Sequence, residues 1–300
     1  MGLSQTQKDL VGGSVGGVAQ VLVGQPFDIV KVRVQTAAPG TFSSPLDCAA
    51  KLLKNEGPLG FYKGTLTPLL GIGACVSIQF GALEWAKRQF AARSPGRELT
   101  LAELYASGAV AGVANTAVAG PVEHIRIRLQ TQPATPIYAG PLDCARKLWA
   151  QAGARGLFKG QVATMWRDGV GYGCYFLAYE YLVQRYTRER AITREQISPL
   201  VSLGFGASAG FALWFSIYPI DVVKSKLQTD ALGPERKYAG MLDCFAKTWR
   251  AQGVRGFLGG LEPTLVRSPF ANGATFVAFE LAMRAMGSDE HHDAPPDLIV

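Results

Sequence analysis

Three stretches of this chain of 300 residues carry the same ordered set of residues, and that recurrence limits the fold more than any other feature. Pro26, Asp28, Lys31, Arg33 and Gln35 recur as Pro121, Glu123, Arg126, Arg128 and Gln130, and again as Pro219, Asp221, Lys224, Lys226 and Gln228. Each set reads Pro-x-acid-x-x-base-x-base-x-Gln after a long uncharged run. A kinking proline is thus followed by an acid and a base three residues apart on one helix face. The prolines are separated by 95 and then 98 residues. Leu46-Asp47-Cys48, Leu142-Asp143-Cys144 and Leu242-Asp243-Cys244 keep the same step, as do Tyr62-Lys63-Gly64, Phe158-Lys159-Gly160 and Leu258-Gly259-Gly260. Internal periodicity of this kind defines the architecture. The expectation is one domain of three tandem repeats, at about 8–95, 101–190 and 197–286, with a disordered tail over 287–300.

The uncharged runs say where those repeats reside. Residues 10–27, 64–83, 104–122 and 196–220 contain no Asp, Glu, Lys or Arg, giving 18, 20, 19 and 25 residues. About 20 apolar residues cross a hydrocarbon core as a helix. Runs 169–179 and 268–279 are shorter because Arg167, Asp168 and Arg267 interrupt them, and repeat symmetry promotes both to spans. The total is six. The net charge of +7 raises the question of nucleic acid, but the distribution answers it. Intervals 28–63, 123–160 and 221–260 hold 18 of the Lys and Arg residues, against 10 elsewhere outside the spans. With an even number of spans, those intervals share one face, and a basic bias of this kind sets membrane topology. Amphipathic segments at 45–55, 141–152 and 241–252, with Lys51, Lys147 and Lys247 on their polar sides, are expected along that surface. Glycines at GxxxG spacing in the first, third and fifth spans (Gly12, Gly13, Gly16 and Gly17; Gly108 and Gly112; Gly206 and Gly210) are expected to let a neighbouring helix approach. Five cysteines in buried or repeated positions read as structural thiols, and no metal spacing is present.

The tripled motif, followed in the first copy by Glu56-Gly57-x4-Tyr62-Lys63-Gly64, resembles the signature of the mitochondrial carrier family over nearly the whole chain. The second and third copies depart from its later half, with Ala152 and Gln252 in place of the acid and Gly259 in place of the base. The resemblance implies an all-α membrane protein of six transmembrane helices in three pseudosymmetric repeats, with short matrix-side helices. It also implies an inner-membrane location in mitochondria with the termini facing the intermembrane space, cardiolipin bound at helix N-termini on the matrix side, and no other cofactor.

Three acids and three bases from symmetry-related helices can close a ring: Asp28 with Arg126, Glu123 with Lys224, and Asp221 with Lys31. The resemblance makes this ring the matrix gate, with Gln35, Gln130 and Gln228 bracing the pairs. A plainer reading is three isolated i,i+3 pairs, worth a few tenths of a kcal/mol each. On the even spans the family carries aromatic-acid-x-x-base as the cytosolic gate, which implies roles there for Glu84, Lys87, Glu180 and Glu280. Val183 and Met283 stand where two of its bases belong, so that gate is expected to be the weaker one.

Selectivity belongs where the repeats differ. Thirteen residues before Glu84, Glu180 and Glu280 stand Gly71, Arg167 and Arg267. By helical rise that is about 19 Å from the span end, where an ionisable group is a functional candidate. Two guanidinium groups can grip a carboxylate, and Asp168 can accept from an ammonium. Arg167, Asp168 and Arg267, with Gly71 and Gln79 on the second span, therefore suit a zwitterion such as an amino acid. Their summed charge of +1 favours glutamate, then a small neutral amino acid, then a basic one or carnitine. An internal Arg167–Asp168 pair without a ligand stays open as an alternative, as does an ion-leak protein. No nucleophile, phosphate loop or metal site points to covalent catalysis, and a monomer is expected.

Overall fold

The computed structural model describes residues 5–93, 97–133 and 135–286. The expected tail over 287–300 lies outside the described residues. Nine α-helices and no strands are found among the described residues. Six are long: α1 (Gln5–Thr36), α3 (Leu66–Arg93), α4 (Leu101–Thr131), α6 (Gln161–Arg190), α7 (Pro199–Thr229) and α9 (Leu261–Ala285). Three are short: α2 (Pro45–Glu56), α5 (Pro141–Leu157) and α8 (Met241–Gln252). The order long, short, long repeats three times, in step with the sequence motif.

Local signals explain the boundaries. Thr100 caps α4 by accepting from Glu103 N while Glu103 bonds back to Thr100 N at 2.8 Å, a reciprocal capping box. Ser198 caps α7, with Pro199 in its first turn. Pro26, Pro121 and Pro219 lie inside α1, α4 and α7, and each helix runs on past its proline to carry the acid and bases. The α5 helix breaks at Ala152 and Gly153, matching the expected end of its amphipathic segment.

The six long helices surround a central space in the order α1, α3, α4, α6, α7, α9, packing closely at α3–α4, α4–α6, α6–α7 and α9–α1 and only sparsely at α1–α3 and α7–α9. Three equivalent apolar clusters fasten the short helices to the long ones: Cys48 and Leu52 against Ile29, Cys144 and Leu148 against Leu129, and Cys244 and Phe257 against Val223. Burial pushes the thiols of Cys48, Cys144 and Cys244 up to about 11, as suits inert packing groups. Outside the ring the surface is apolar: Leu70 is 72% and Phe215 64% exposed, the inverse of a water-soluble bundle. Residues 58–93 and 204–229 are long and apolar enough to cross a membrane on composition alone.

Each repeat meets the next through one glycine at the start of its second long helix. Gly64, Gly160 and Gly260 have φ of 79°, 80° and 78°, where L side chains are disfavoured. A Cβ there would stand 3.0 Å from the Arg126 carbonyl, 2.9 Å from Gln228 Cγ and 2.9 Å from the Lys31 carbonyl respectively. The small-residue pairs in the spans behave less uniformly than expected. Gly108 abuts the Tyr172 carbonyl on α6, and Gly12 and Gly16 abut Phe279 and Thr275 on α9. Gly206 and Gly210 line the central cavity, and a Cβ on Gly210 would meet nothing within 4 Å, so helix packing does not explain Gly210.

Candidate functional site

The ring of helices encloses a cavity of about 700 Å³. Nine charged side chains line it: Asp28, Lys31, Glu123, Arg126, Arg167, Asp168, Asp221, Lys224 and Arg267. Five bases against four acids leave +1, the balance expected from the site residues alone.

One end of the cavity is closed by ion pairs between repeats. Arg126 bonds Asp28 at 2.7 Å, Lys31 bonds Asp221 at 2.8 Å, and Lys224 bonds Glu123. These are the three inter-repeat partnerships that the tripled motif allows. The glutamines do not all brace them. Gln35 donates to Asp221 and to the Tyr218 hydroxyl, both at 3.2 Å. The Gln130 side chain bonds none of these pairs, its Cγ lies 3.3 Å from where a Gly64 Cβ would be, and its Nε2 is buried without a partner. Gln228 reaches Thr164 at 3.4 Å instead. All three glutamines pack on a junction glycine, Gln35 against Gly260, Gln130 against Gly64 and Gln228 against Gly160, and Gln35 alone of the three also reaches a ring acid. A brace that the motif did not suggest is Gln25, fully buried, which accepts from Arg126 at 2.6 Å and donates to the Lys63 carbonyl at 2.8 Å. Trp214 adds a third kind of contact, with the Lys31 ammonium 4.3 Å above its ring.

The mid-span charges sit directly on this ring. Arg167 Nε donates to Asp168 at 2.7 Å, and its Nη2 lies 2.9 Å from both Glu123 oxygens. Its Nη1 is 3.6 Å from Asp221. Arg267 Nε lies 2.9 Å from Asp28 as an ion pair without hydrogen-bond alignment. The internal Arg167–Asp168 pair therefore exists, but as part of a larger network. Asp168 keeps one oxygen, Oδ2, with no partner. Gly71 lines the cavity, and a Cβ there would press on Val122 at 3.1 Å. Gln79 does not line it: it is buried at 2% exposure with its Nε2 unpartnered, turned into the helix packing rather than toward the water. Asn115, Tyr175 and Trp214 do line it.

At the opposite end, the mouth, no ion pair joins two of α3, α6 and α9 among the described residues. Lys87 pairs with Glu84 on its own helix at 3.4 Å, and Arg284 pairs with Glu280 one turn away. Glu180 pairs with Arg194 at 3.0 Å, a residue from the connector after α6 that no motif marked. Beneath the ring the repeats differ again. Glu56 holds Arg33 at 2.6 Å and Lys63 at 2.6 Å. Burial pushes its carboxyl up, yet those two cations more than offset this and hold it below the usual range. Where Ala152 replaces that acid, Arg128 and Lys159 turn to the next repeat and bond the Asp230 carbonyl at 2.6 and 2.9 Å. In the third repeat Lys226 reaches only Thr248, at 3.3 Å.

Six long helices in three tandem repeats, surrounding a charged central cavity sealed at one end by inter-repeat ion pairs, are the architecture of a membrane carrier built by triplication. The chain belongs to the mitochondrial carrier family, whose model for mitochondrial carrier protein matches residues 3–94, 97–190 and 195–290. That is a family of transporters of the mitochondrial inner membrane. The chain is 47% identical over 282 residues to the glutamate/glycine mitochondrial carrier of Schizosaccharomyces pombe, covering 93% of this chain and 94% of that one. It is 47% identical over 287 residues to the mitochondrial glycine transporter of Saccharomyces cerevisiae, covering 93% and 92%. The mitochondrial basic amino acids transporter of Bos taurus is 37% identical over 286 residues, covering 94% and 93%.

Proposed function

We propose that the chain carries an amino acid, glutamate or a small neutral one such as glycine, through its central cavity by alternating access. The observation that carries this reading is the Arg167–Asp168 pair, set with Arg267 in a cavity of net charge +1 that ends on the ion-pair ring. An α-amino acid presents a carboxylate to a guanidinium and an ammonium to a carboxylate. It can insert into the Arg167–Asp168 pair with charge balanced at every contact. The names of the two relatives at 47% identity support the same substrate class.

The ring acts as the matrix gate in this reading. Arg167 leans on Glu123, and Arg267 on Asp28, so a substrate carboxylate that draws the arginines away weakens the hold on two ring acids. Only differential binding between the two states can shift the gate, and this competition supplies it. Glu84, Lys87, Glu180 and Glu280 form the cytosolic gate, with fewer helix-to-helix options than the ring. The basic connecting intervals face the matrix, which places both termini toward the intermembrane space. Cardiolipin binds at the first turns of α5 and α8, whose N-caps Gly140 and Gly240 supply no side-chain partner to the free amides. The working unit is a monomer, and neither nucleic acid nor a metal takes part.

Uptake of labelled glutamate and glycine by purified protein in cardiolipin-containing liposomes tests the function. Transport by the wild type and its loss in Asp168→Asn and Arg267→Ala are expected. Carnitine or protons moving while no amino acid does would overturn the reading in favour of an acylcarnitine-type or leak function.

A further inference from the structure

We infer that Arg194, in the connector between α6 and α7, is the base that serves Glu180 at the cavity mouth, in place of the helix-borne base its repeat lacks. Glu84, Glu180 and Glu280 occupy equivalent positions, but their surroundings differ. The side chains of Glu84 and Glu280 are 57% and 43% exposed, whereas that of Glu180 is 10% exposed. Glu84 and Glu280 each take a cation from their own helix, Lys87 at i+3 and Arg284 at i+4. From Glu180 the same two positions hold Val183, which is buried, and Gln184. The next base, Arg185, turns outward to Glu189 at 2.8 Å. A carboxylate this deep with no cation would bear its desolvation cost uncompensated. The cation arrives from fourteen residues away: Arg194 Nη1 lies 3.0 and 3.3 Å from the two Glu180 oxygens, with its guanidinium 5.9 Å from the centre of the Tyr179 ring.

The backbone is shaped to deliver it. The α6 helix ends on Ala191 with φ 51° and ψ 39°. It is the one non-glycine residue of positive φ among the described residues. L residues seldom hold that conformation unless their surroundings fix it. The chain then reverses into a single turn, Arg194–Gln196, pinned at both sides by Thr193. Thr193 N donates to Gln196 Oε1 at 3.0 Å, and Gln196 N donates to the Thr193 carbonyl at 3.1 Å. A surface arginine serving only solubility needs neither device.

Arg194 is thus a positioning residue that touches no substrate. It neutralises the acid of the second repeat and fastens the connector between the second and third repeats to the mouth. Any rearrangement of the mouth during transport must carry this pair along or break it, so its loss acts on turnover rather than on affinity.

The inference rests on the transport reading for its uptake arm only, and a melting-temperature arm stands without it. The variants are Arg194→Gln, Glu180→Gln, the two combined, and Arg194→Gln with Gln184→Arg, which copies the i+4 spacing of Glu280 and Arg284. Arg194→Gln is expected to lower the melting temperature of the detergent-purified full chain by about 3 °C or more. The double neutralisation should melt above Arg194→Gln alone, because no unpaired buried charge remains. In liposomes the maximal rate should fall about threefold or more while the half-saturating concentration stays within about twofold, and Gln184→Arg should return most of the rate. Wild-type melting and uptake in Arg194→Gln, equal losses with and without Glu180→Gln, or no recovery with Gln184→Arg would each overturn the assignment. A wild-type protein that moves no amino acid would sink the transport reading, and the melting comparison would still decide the pair.

Discussion

Both ends of the cavity carry one acid from each repeat, yet they hold together differently. At the ring end every acid finds its base on another repeat, and the mid-span arginines add further links to Asp28, Glu123 and Asp221. At the mouth Glu84 and Glu280 find theirs one turn along the same helix, and Glu180 finds its own on a connector. Pairs that cross between helices resist separation of those helices. Pairs along one helix do not, and exposed ones contribute little to stability. Resistance to separation of the helices is therefore concentrated at the ring, and Arg167 and Arg267, the groups proposed to grip the ligand, are also the ones that reinforce that end.

Breaking the shared groups should have the largest effect. Arg167→Ala removes both the proposed carboxylate grip and a link to Glu123, so amino-acid uptake in liposomes should fall by about a hundredfold or more. Next comes the ring itself. Lys31→Asp opposes a second carboxylate to buried Asp221, where breaking a buried pair costs about 3–5 kcal/mol. Uptake and melting temperature should both drop sharply, and adding Asp221→Lys should recover part of each. Recovery in neither would mean that this pair does not act as a unit.

At the mouth the effect should be smaller and of a different kind. Val183→Lys and Met283→Lys restore bases at the family positions, giving the mouth cross-helix partners that it lacks. The transport rate should change by about two- to fivefold. An unchanged rate in both variants would contradict the view that this end is the weaker gate. The smallest effect concerns Glu56. Its folded-state carboxyl is held below the ordinary value by Arg33 and Lys63, so the stability it contributes is present above about pH 4.5 and lost as pH falls through that depressed value. Glu56→Gln should therefore lower the melting temperature at pH 7, with the gap to wild type closing in acid.

How much of this was legible in the sequence follows from where symmetry holds. The three inter-repeat pairs could be written down in advance because Asp28, Glu123 and Asp221 and their bases recur in register. Charge interruptions in otherwise apolar runs likewise marked Arg167, Asp168 and Arg267. Sequence reasoning failed where a residue's partner is set by local geometry rather than by the repeat. Gln130 and Gln228 share the motif and the packing on a junction glycine with Gln35, yet only Gln35 turns its amide to a ring acid, which the repeat does not specify. Gln79 has a polar side chain in a cavity helix, but the rotation of α3 buries it away from the cavity. Arg194 and Gln25 stand outside any repeated pattern: the reversal after Ala191 brings Arg194 to Glu180, and the approach of α1 to the second repeat brings Gln25 to Arg126. Gly210 shows the same limit, since spacing alone does not say whether a small residue meets a helix or an opening.

If substrate loosens the ring end by competing for Arg167 and Arg267, the first and second repeats must separate there when it binds. The most direct test places spin labels at Ala37 and Thr135, just beyond the ring on the first and second repeats, in a cysteine-free protein in lipid, and measures their separation with and without saturating glutamate or glycine. A population at longer distance, appearing with amino acid and absent from Asp168→Asn, is the predicted result. An unchanged distance distribution in a protein shown to be transporting would contradict the claim.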